Sequence, residues 1–221
     1  MSFEDRIPAN FFPVARRPLQ WTDAIPLGVF TVLLVVGCFC LGFGPTISND
    51  RAEPVLQVKR ESFWFMPPDG PRVPAPRGMT VSPDGEYLVL DNAGRVLAFD
   101  ETGTLQRQWW MPETSVGKPE GICVLKDGRI AVADTHYHRV VLFSHEGKVV
   151  GMFGKQGSGP GEFEFPVSVI QDDKENLYVC EYGNFNDRAQ KFRPDGTFVI
   201  QIGSYGTEDG QFQRIAGMFP R

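Results

Sequence analysis

The sequence predicts an all-β fold of about three repeated four-stranded units and a fragment of a fourth, preceded by one N-terminal transmembrane helix. Three observations predict it. Similar segments follow one another beyond residue 75, and a charge-free apolar run lies near the N-terminus. The chain also contains 24 Gly, 18 Pro and 18 Phe without a collagen-like period. Such a composition is typical of many short strands joined by tight turns.

The repeated segments begin at prolines that lie 43 and 47 residues apart. The copies span about 76–110, 119–154 and 166–203, and a fourth begins at 214. Each has a short strand, a tight turn, a nearly all-apolar second strand, a third strand that opens with arginine, and an alternating fourth strand. Apolar runs indicate strands buried on both faces, whereas alternation fits an outer edge strand. The spacing is the length of one four-stranded unit.

Each element of this pattern has a physical reason. Asp-Gly and Lys-Glu-Asn between apolar runs are turns that require or tolerate a positive φ, so they predict hairpins. Gly-rich segments at 154–166 and 203–214 join one copy to the next, and each ends in an aromatic anchor, Phe163 or Phe212. We expect these crossings to lead from the outer strand of one unit to the inner strand of the next.

The chain divides into four segments: a cytoplasmic tail (1–23), a transmembrane helix or signal anchor (24–47), a Pro-rich connector (48–75) and the repeats (76–221). No charged residue lies between Ala24 and Asn49, which supplies the roughly 20 residues that a spanning helix needs. Basic residues flank both ends, and we expect the tail inside and the repeats on the periplasmic or extracellular side. A cleaved signal peptide, a lipoprotein signal with lipid on Cys38 and a twin-arginine signal remain alternatives.

Charge and cysteine content exclude several classes of protein. The net charge is −5 and no basic patch is visible, so we expect no nucleic-acid partner. Four cysteines are too few for a disulfide scaffold, and Cys123 and Cys180 lie in strand-like stretches as small hydrophobic residues.

The repeats resemble the NHL-repeat family of β-propellers over about residues 76–218. The resemblance rests on VADTHYHRVVLF (132–143), on GSGPGEF (157–163), on GTEDGQF (206–212) and on the P-x-G-I-x-V start. It implies that each unit is a blade of a ring that usually has four to eight blades. Three blades leave both ends of the ring unsealed, so we expect either a shortened form of a longer propeller or self-association that completes a ring.

One polar set recurs once per copy and is expected to shape the corners of the blades. It comprises Asp91, Asp134 and Glu181 at the ends of the second strands, Arg95, Arg139 and Arg188 at the starts of the third, and His138. We expect the acids to cap the following turn, and His138 and Arg139 to tie their loop to carbonyl groups or to Asp134. A zinc site would need further ligands, and no HExxH or CxxC occurs. No catalytic residue, metal or cofactor is therefore predicted.

The variable loops after the second strands hold the candidate ligand-binding residues: His136, Tyr137, Tyr182, Asn184 and Phe185. Loop aromatic residues often build recognition surfaces. We therefore expect a membrane-anchored, non-catalytic platform that binds a protein, peptide or glycan outside the cytoplasm.

Two other functions remain open. The resemblance extends to six-bladed propeller enzymes of the lactonase, sugar dehydrogenase and lyase types. These would imply a channel with a divalent metal, for which Asp134, Glu181 and Asn184 are the available side chains. The chain can also be the sensor part of a signalling system, which would need a partner for its output. Fold resemblance alone does not decide among these functions.

Overall fold

The computed structural model describes residues 63–219. The expected tail, the expected transmembrane helix at 24–47, Cys38 and the first part of the connector lie outside the described residues. Among residues 63–219, no helix has the length and apolar character needed to cross a bilayer.

Each repeat forms an antiparallel four-stranded sheet whose strands follow chain order. The first sheet contains β1 (Pro76–Val81), β2 (Tyr87–Asp91), β3 (Arg95–Phe99) and β4 (Leu105–Trp110). The second contains β5 (Gly121–Val124), β6 (Ile130–Asp134), β7 (Arg139–Phe143) and β8 (Val149–Phe153). The third contains β9 (Phe165–Gln171), β10 (Leu177–Tyr182), β11 (Arg188–Phe192) and β12 (Phe198–Ile202). These three sheets confirm the predicted all-β fold with repeated four-stranded units.

Burial follows the position of a strand within its sheet. The central strands β3 and β6 are buried at every residue, and β7 is buried at all but its first. The fourth strands are much more exposed, with Val150 and Met152 of β8 about half exposed. The sequence predicted edge strands here, and the sheet order agrees because each fourth strand pairs only with the third.

The turn between the first and second strands of each sheet contains a residue with a positive φ. Gly85 and Gly128 take φ values of +84° and +83° in the first two turns, a conformation that glycine adopts without steric cost. The third turn has Glu175 at φ +65° instead. There the Asp172 carboxylate accepts hydrogen bonds from the backbone N–H groups of Lys174 and Asn176, at 2.9 and 2.8 Å. These bonds hold a turn that lacks glycine.

Adjacent sheets meet closely along their inner strands. The first strands β1, β5 and β9 lie side by side. A Cβ added at Gly78 would lie 2.6 Å from the carbonyl oxygen of Glu120, and one at Gly121 would lie 2.6 Å from that of Val167. Only glycine fits such an approach to neighbouring backbone, which explains its place in the P-x-G start. The apolar core fills the spaces between consecutive sheets.

The two Gly-rich crossings have the same backbone. Gly157 and Gly206 have φ values of +151° and +150°. In the second crossing, β13 (Ser204–Tyr205) pairs in parallel with β14 (Gln211–Phe212), and the first has the matching bridge between Gln156 and Phe163. Phe163 is fully buried, whereas Phe212 is only partly buried. After this crossing, Ile215 and Met218 pack on the third sheet without forming a described strand.

Candidate functional site

A buried ion pair stands at the same corner of each sheet. The arginine that opens the third strand donates through Nε to the acid that ends the second. The pairs are Arg95–Asp91 at 2.8 Å, Arg139–Asp134 at 2.9 Å and Arg188–Glu181 at 2.8 Å. All three carboxylates are fully buried. This recurrence indicates a role in shaping the corner of each unit.

Only the first of these acids caps its turn in the expected way. Asp91 Oδ1 accepts hydrogen bonds from the backbone N–H groups of Ala93 and Arg95, each at 2.9 Å. The loops after Asp134 and Glu181 are longer, so the chain turns farther from the carboxylate. A short 3-10 helix at Thr135–Tyr137 follows Asp134, which makes no capping bond to it. The expected turn cap is therefore wrong for Asp134.

The second-sheet corner holds polar atoms that have no hydrogen-bond partner among residues 63–219. These are Asp134 Oδ1 and the adjacent Thr135 Oγ1, both in buried side chains. Burial raises the pKa of Asp134 even though Arg139 opposes the shift. Burial likewise raises the pKa of Glu181, against the hydrogen bond from Arg188.

The corner arginines also bind the segment that precedes their own sheet. Arg188 donates to the carbonyl oxygens of Ser158 at 2.7 Å, Glu162 at 3.0 Å and Gly159 at 3.1 Å. Arg95 donates to the carbonyl oxygen of Pro67 at 2.8 Å. The guanidinium group has enough donors to hold a carboxylate and a crossing at once.

The residue just before the arginine ties each loop to the segment that follows its sheet. His138, at φ +55°, contacts the carbonyl oxygen of Glu164 through Nδ1. Asp187 occupies the same position in the third sheet and accepts a hydrogen bond from the backbone N–H of Arg214. His138 therefore joins consecutive units.

His136 and Tyr137 face the segment between the first and second sheets. His136 Nδ1 lies 3.2 Å from the carbonyl oxygen of Lys118. The Tyr137 hydroxyl lies 3.1 Å from Ser115 Oγ and accepts a hydrogen bond from the Val116 N–H at 3.0 Å. These bonds, first that with Ser115, lower the pKa of Tyr137. Both candidates are thus engaged within the protein.

Tyr182 ends β10, and Asn184 and Phe185 follow it in the third-sheet loop. Asn184 and Phe185 are consecutive left-handed residues, with φ values of +50° and +61°. Asn184 Nδ2 donates to Glu164 Oε2 at 2.9 Å. Phe185 is 78% exposed, and its ring meets Tyr205 edge-on at 4.9 Å between centroids. The two rings form an exposed aromatic pair beside the third-sheet loop.

Two aromatic residues that the sequence analysis did not select are in contact with these candidates. Phe165 lies between His136 and Tyr182, with centroid distances of 5.9 and 6.0 Å, and so brings two candidates from different sheets together. Tyr205 supports Phe185 from the following crossing. Phe165 begins β9, and Tyr205 lies in the second Gly-rich crossing. When the two crossings are aligned, Arg214 and Gln156 stand at the corresponding positions, so the repeat pattern marks neither aromatic residue.

A family model described as "6-bladed beta-propeller" (DUF5128) matches residues 112–185. A curated relative, the RING finger protein nhl-1 of Caenorhabditis elegans, is 44% identical over 46 residues. That match covers 21% of this chain and 5% of the relative. The three sheets are β-propeller blades, and their sequences are similar to NHL repeats. Blades 1, 2 and 3 are accordingly the sheets β1–β4, β5–β8 and β9–β12.

Solved propeller structures are similar at low identity. A streptogramin B lyase has 18% identity and a TM-score of 0.47, over 57% of this chain and 40% of that one. A virginiamycin B lyase of Staphylococcus aureus has 13% identity and a TM-score of 0.46, over 57% and 40%. A Bacteroides caccae protein of unknown function has 14% identity and a TM-score of 0.44, over 61% and 47%. The chain thus spans less than half of each, and these similarities indicate no activity for it.

The inner strands of the three blades border an open groove of about 640 Å³. Its lining includes the Arg77–Glu120 ion pair, Cys123 and Ser168. Burial raises the pKa of the Cys123 thiol, which makes it a poorer nucleophile. In the described part of the chain, no three or more His, Cys, Asp or Glu side chains form a group that could hold a metal ion.

Proposed function

We propose that the propeller is a non-catalytic binding platform whose recognition surface is centred on Phe185 and Tyr205. The single observation that carries this proposal is the display of Phe185 by two consecutive left-handed, non-glycine residues. A left-handed conformation costs an L-residue about 1–2 kcal/mol. Residues in such conformations often cluster at functional sites. Here the unfavourable backbone conformation holds the large apolar ring of Phe185 in solvent.

The surroundings of this ring suit recognition of a peptide, protein or glycan. The Phe185–Tyr205 pair presents two nearly perpendicular rings, at 81°. Polar groups border it, among them the Asn184–Glu164 hydrogen bond. Aromatic anchors inside a polar rim are the usual arrangement of binding hot spots. Arg214 lies over the Tyr182 ring at 5.4 Å and extends the surface toward the following segment.

The proposal is tested by selecting ligands and then removing the anchor. A displayed random peptide library and a printed glycan array would be screened against the full chain. We expect Phe185→Ala to weaken the selected binders at least about tenfold, because hot-spot aromatic residues contribute this much or more. The control is Val150→Ala, which changes an exposed apolar residue on an outer strand. Binders that tolerate Phe185→Ala, or the absence of binders in both screens, would contradict the proposal.

We further propose that residues 24–47 anchor this platform in a membrane, with the blades on the periplasmic or extracellular side. The support is the charge-free apolar run in the sequence. The full chain should stay with membranes after alkaline carbonate extraction, and a chain that lacks 24–47 should be released. Protease added outside intact cells should cut the blades only if they face outward. Release of the full chain, or protection of the blades from protease, would contradict this location.

A further inference from the structure

A cavity of about 200 Å³ lies between blades 1 and 2, at the end of the sheets opposite the corner loops. Part of its wall is formed by Leu88, Leu125 and Ile130, which are each 1% exposed. The lining also includes the turn between the first two strands of blade 1, where Ser82 is half-buried and Asp84 is exposed. The cavity therefore has an apolar interior and a polar rim.

A serine stands beside this cavity where the next blade has a leucine. The Gly85 N–H donates to the carbonyl oxygen of Ser82 at 3.0 Å. The Gly128 N–H donates to the carbonyl oxygen of Leu125 in the same way, at 2.9 Å. Ser82 and Leu125 thus hold the same position in equivalent turns, and Leu125 packs in the core between blades 2 and 3. Because the serine side chain lacks the branched end of leucine, it cannot fill the corresponding space between blades 1 and 2.

The turns of blade 1 beside this cavity carry several negative charges. Four carboxylates border a surface hollow that adjoins the cavity: Asp84, Glu86, Asp100 and Glu101. Asp84 and Glu86 also line the cavity itself. Glu86 forms an ion pair with Arg107, but the other three acids form no ion pair among residues 63–219. The negative charge of this rim is therefore only partly neutralised.

The cationic side chains that line the cavity are already paired. The Arg107 guanidinium binds both carboxylate oxygens of Glu86, and its Nε donates to the His145 carbonyl oxygen at 2.9 Å. On the blade 2 side, Lys126 Nζ lies 3.1 Å from a carboxylate oxygen of Asp173. Because neither cation is left to attract an anion, the unpaired acids of blade 1 give the rim a preference for positive charge. At an exposed site such an attraction is modest.

The volume of the cavity sets the size of a ligand. One heavy atom with its hydrogens takes up about 30 Å³, the share of a water molecule in the liquid. The cavity thus holds about six or seven heavy atoms. A five-carbon chain with one terminal amine has this size. Such a chain is stabilised by leaving water for the apolar wall.

We propose that this cavity binds a small aliphatic amine, with its carbon chain between blades 1 and 2 and its ammonium group beside the carboxylate of Asp84. The apolar wall holds the chain, and the unpaired acids of the rim select the positive charge. The site lies at the end of the blades opposite the Phe185 surface, so each can bind its ligand without the other.

The test compares a charged probe with a neutral probe of nearly the same shape. Pentylamine and 1-pentanol are titrated separately into the full chain, and NMR shifts of the Leu88 and Ile130 methyl groups report binding. We expect pentylamine to saturate these shifts in the millimolar range and to bind at least about three times more tightly than 1-pentanol. Added salt should reduce this preference because it screens the carboxylates. Equal affinities, or shifts that do not saturate, would overturn the proposal.

Three variants of the turn separate the cavity from its charge. Ser82→Leu introduces the side chain that blade 2 has in the equivalent turn, so it should fill the cavity and abolish binding. Ser82→Ala is the matched control: it removes the hydroxyl that accepts a hydrogen bond from the Glu86 N–H at 3.0 Å, but leaves the cavity open. Binding that survives in Ser82→Leu, or that is lost in Ser82→Ala, would overturn the proposal.

The third variant, Asp84→Asn, changes an exposed residue and does not depend on the packing of the Ser82 variants. It should leave the affinity for 1-pentanol unchanged and bring the affinity for pentylamine close to it. A preference for the amine that is as large in Asp84→Asn as in the native protein would show that Asp84 does not hold the ammonium group, and would overturn the assigned site.

Discussion

The guanidinium of Arg188 and the carboxylate of Glu181 form a buried ion pair at 2.8 Å that also fixes the path into blade 3. Arg188 and Glu181 are 4% and 0% exposed in their side chains. Glu181 accepts a further hydrogen bond from Gln190 at 2.9 Å. Because Arg188 also binds three carbonyl groups of the crossing, the pair joins the corner of the blade to the chain that enters it.

Replacing this arginine should destabilise the protein strongly. Arg188→Ala leaves the Glu181 carboxylate buried without its cation, and breaking a buried pair in this way costs about 3–5 kcal/mol. Urea denaturation measures the loss in the free energy of unfolding. The control is Arg193→Ala at an exposed position in the next turn, which should change that energy by less than about 0.5 kcal/mol. Equal effects of the two substitutions would show that the corner pair has no special role.

Blades 2 and 3 approach each other so closely at Gly121 that even a methyl side chain there should lower the stability of the protein. Gly121→Ala places a Cβ 2.6 Å from the Val167 carbonyl oxygen on the adjacent blade, so backbone must move. We expect a loss of about 1–3 kcal/mol in the free energy of unfolding. At Gly151 an added Cβ has its closest contact at 3.5 Å, to the flexible Leu142 side chain, so Gly151→Ala should be tolerated. A tolerated Gly121→Ala would contradict the packing of β5 against β9.

Asp172 should make stability depend on pH in the acid range. Burial opposes its ionisation, but hydrogen bonds, first those from Asn176 and then that from Tyr178, outweigh it and lower the pKa of Asp172 from 3.8 to about 2. Between these values the unfolded chain binds more protons than the folded one. The contribution of Asp172 is therefore complete above pH 3.8 and is lost as the pH falls toward 2.

The measurement compares urea denaturation of the native protein and of Asp172→Asn from pH 6 to pH 2. The native protein should be more stable by a constant amount above about pH 4, and this difference should shrink as the pH falls further. A difference that stays constant down to pH 2 would mean that the carboxylate is not held in its ionised form by the turn.

The backbone conformation of Phe185 can be tested separately from its ring. Phe185→Gly and Phe185→Ala both remove the ring, but only glycine adopts a φ of +61° without steric cost. We expect the glycine variant to be more stable than the alanine variant by about 1 kcal/mol. At Val199, in the exposed part of β12, the order should reverse, because glycine weakens a strand. The same order at both positions would argue against strain at Phe185.

Local patterns made much of the fold predictable. The apolar second strands, the Asp-Gly turns and the fully buried Phe163 all follow from residues close in the sequence. Such features depend on strand period and turn chemistry, which one copy of the repeat already contains. Comparing the copies then gave the order of the strands.

Features that depend on contacts between segments were not predictable. Trp64 stands in a Pro-rich connector, and only the structure shows that its ring packs on Phe99 and against Gly103 of the first sheet. Phe185 meets Tyr205 although β11 and β12 separate them in the chain, so neither residue marks the other in the sequence. The missing turn cap at Asp134 reflects the length of its loop, which the repeat pattern does not specify.

The arrangement of consecutive blades along their inner strands is tested most directly by nuclear Overhauser effects between β5 and β9. A Cβ added at Gly121 would lie 2.8 Å from the Cα of Ser168, so the α protons of these residues, 47 positions apart, should be close in space. We predict a clear cross-peak between them. Cross-peaks within each sheet but none between Gly121 and Ser168 would contradict the account.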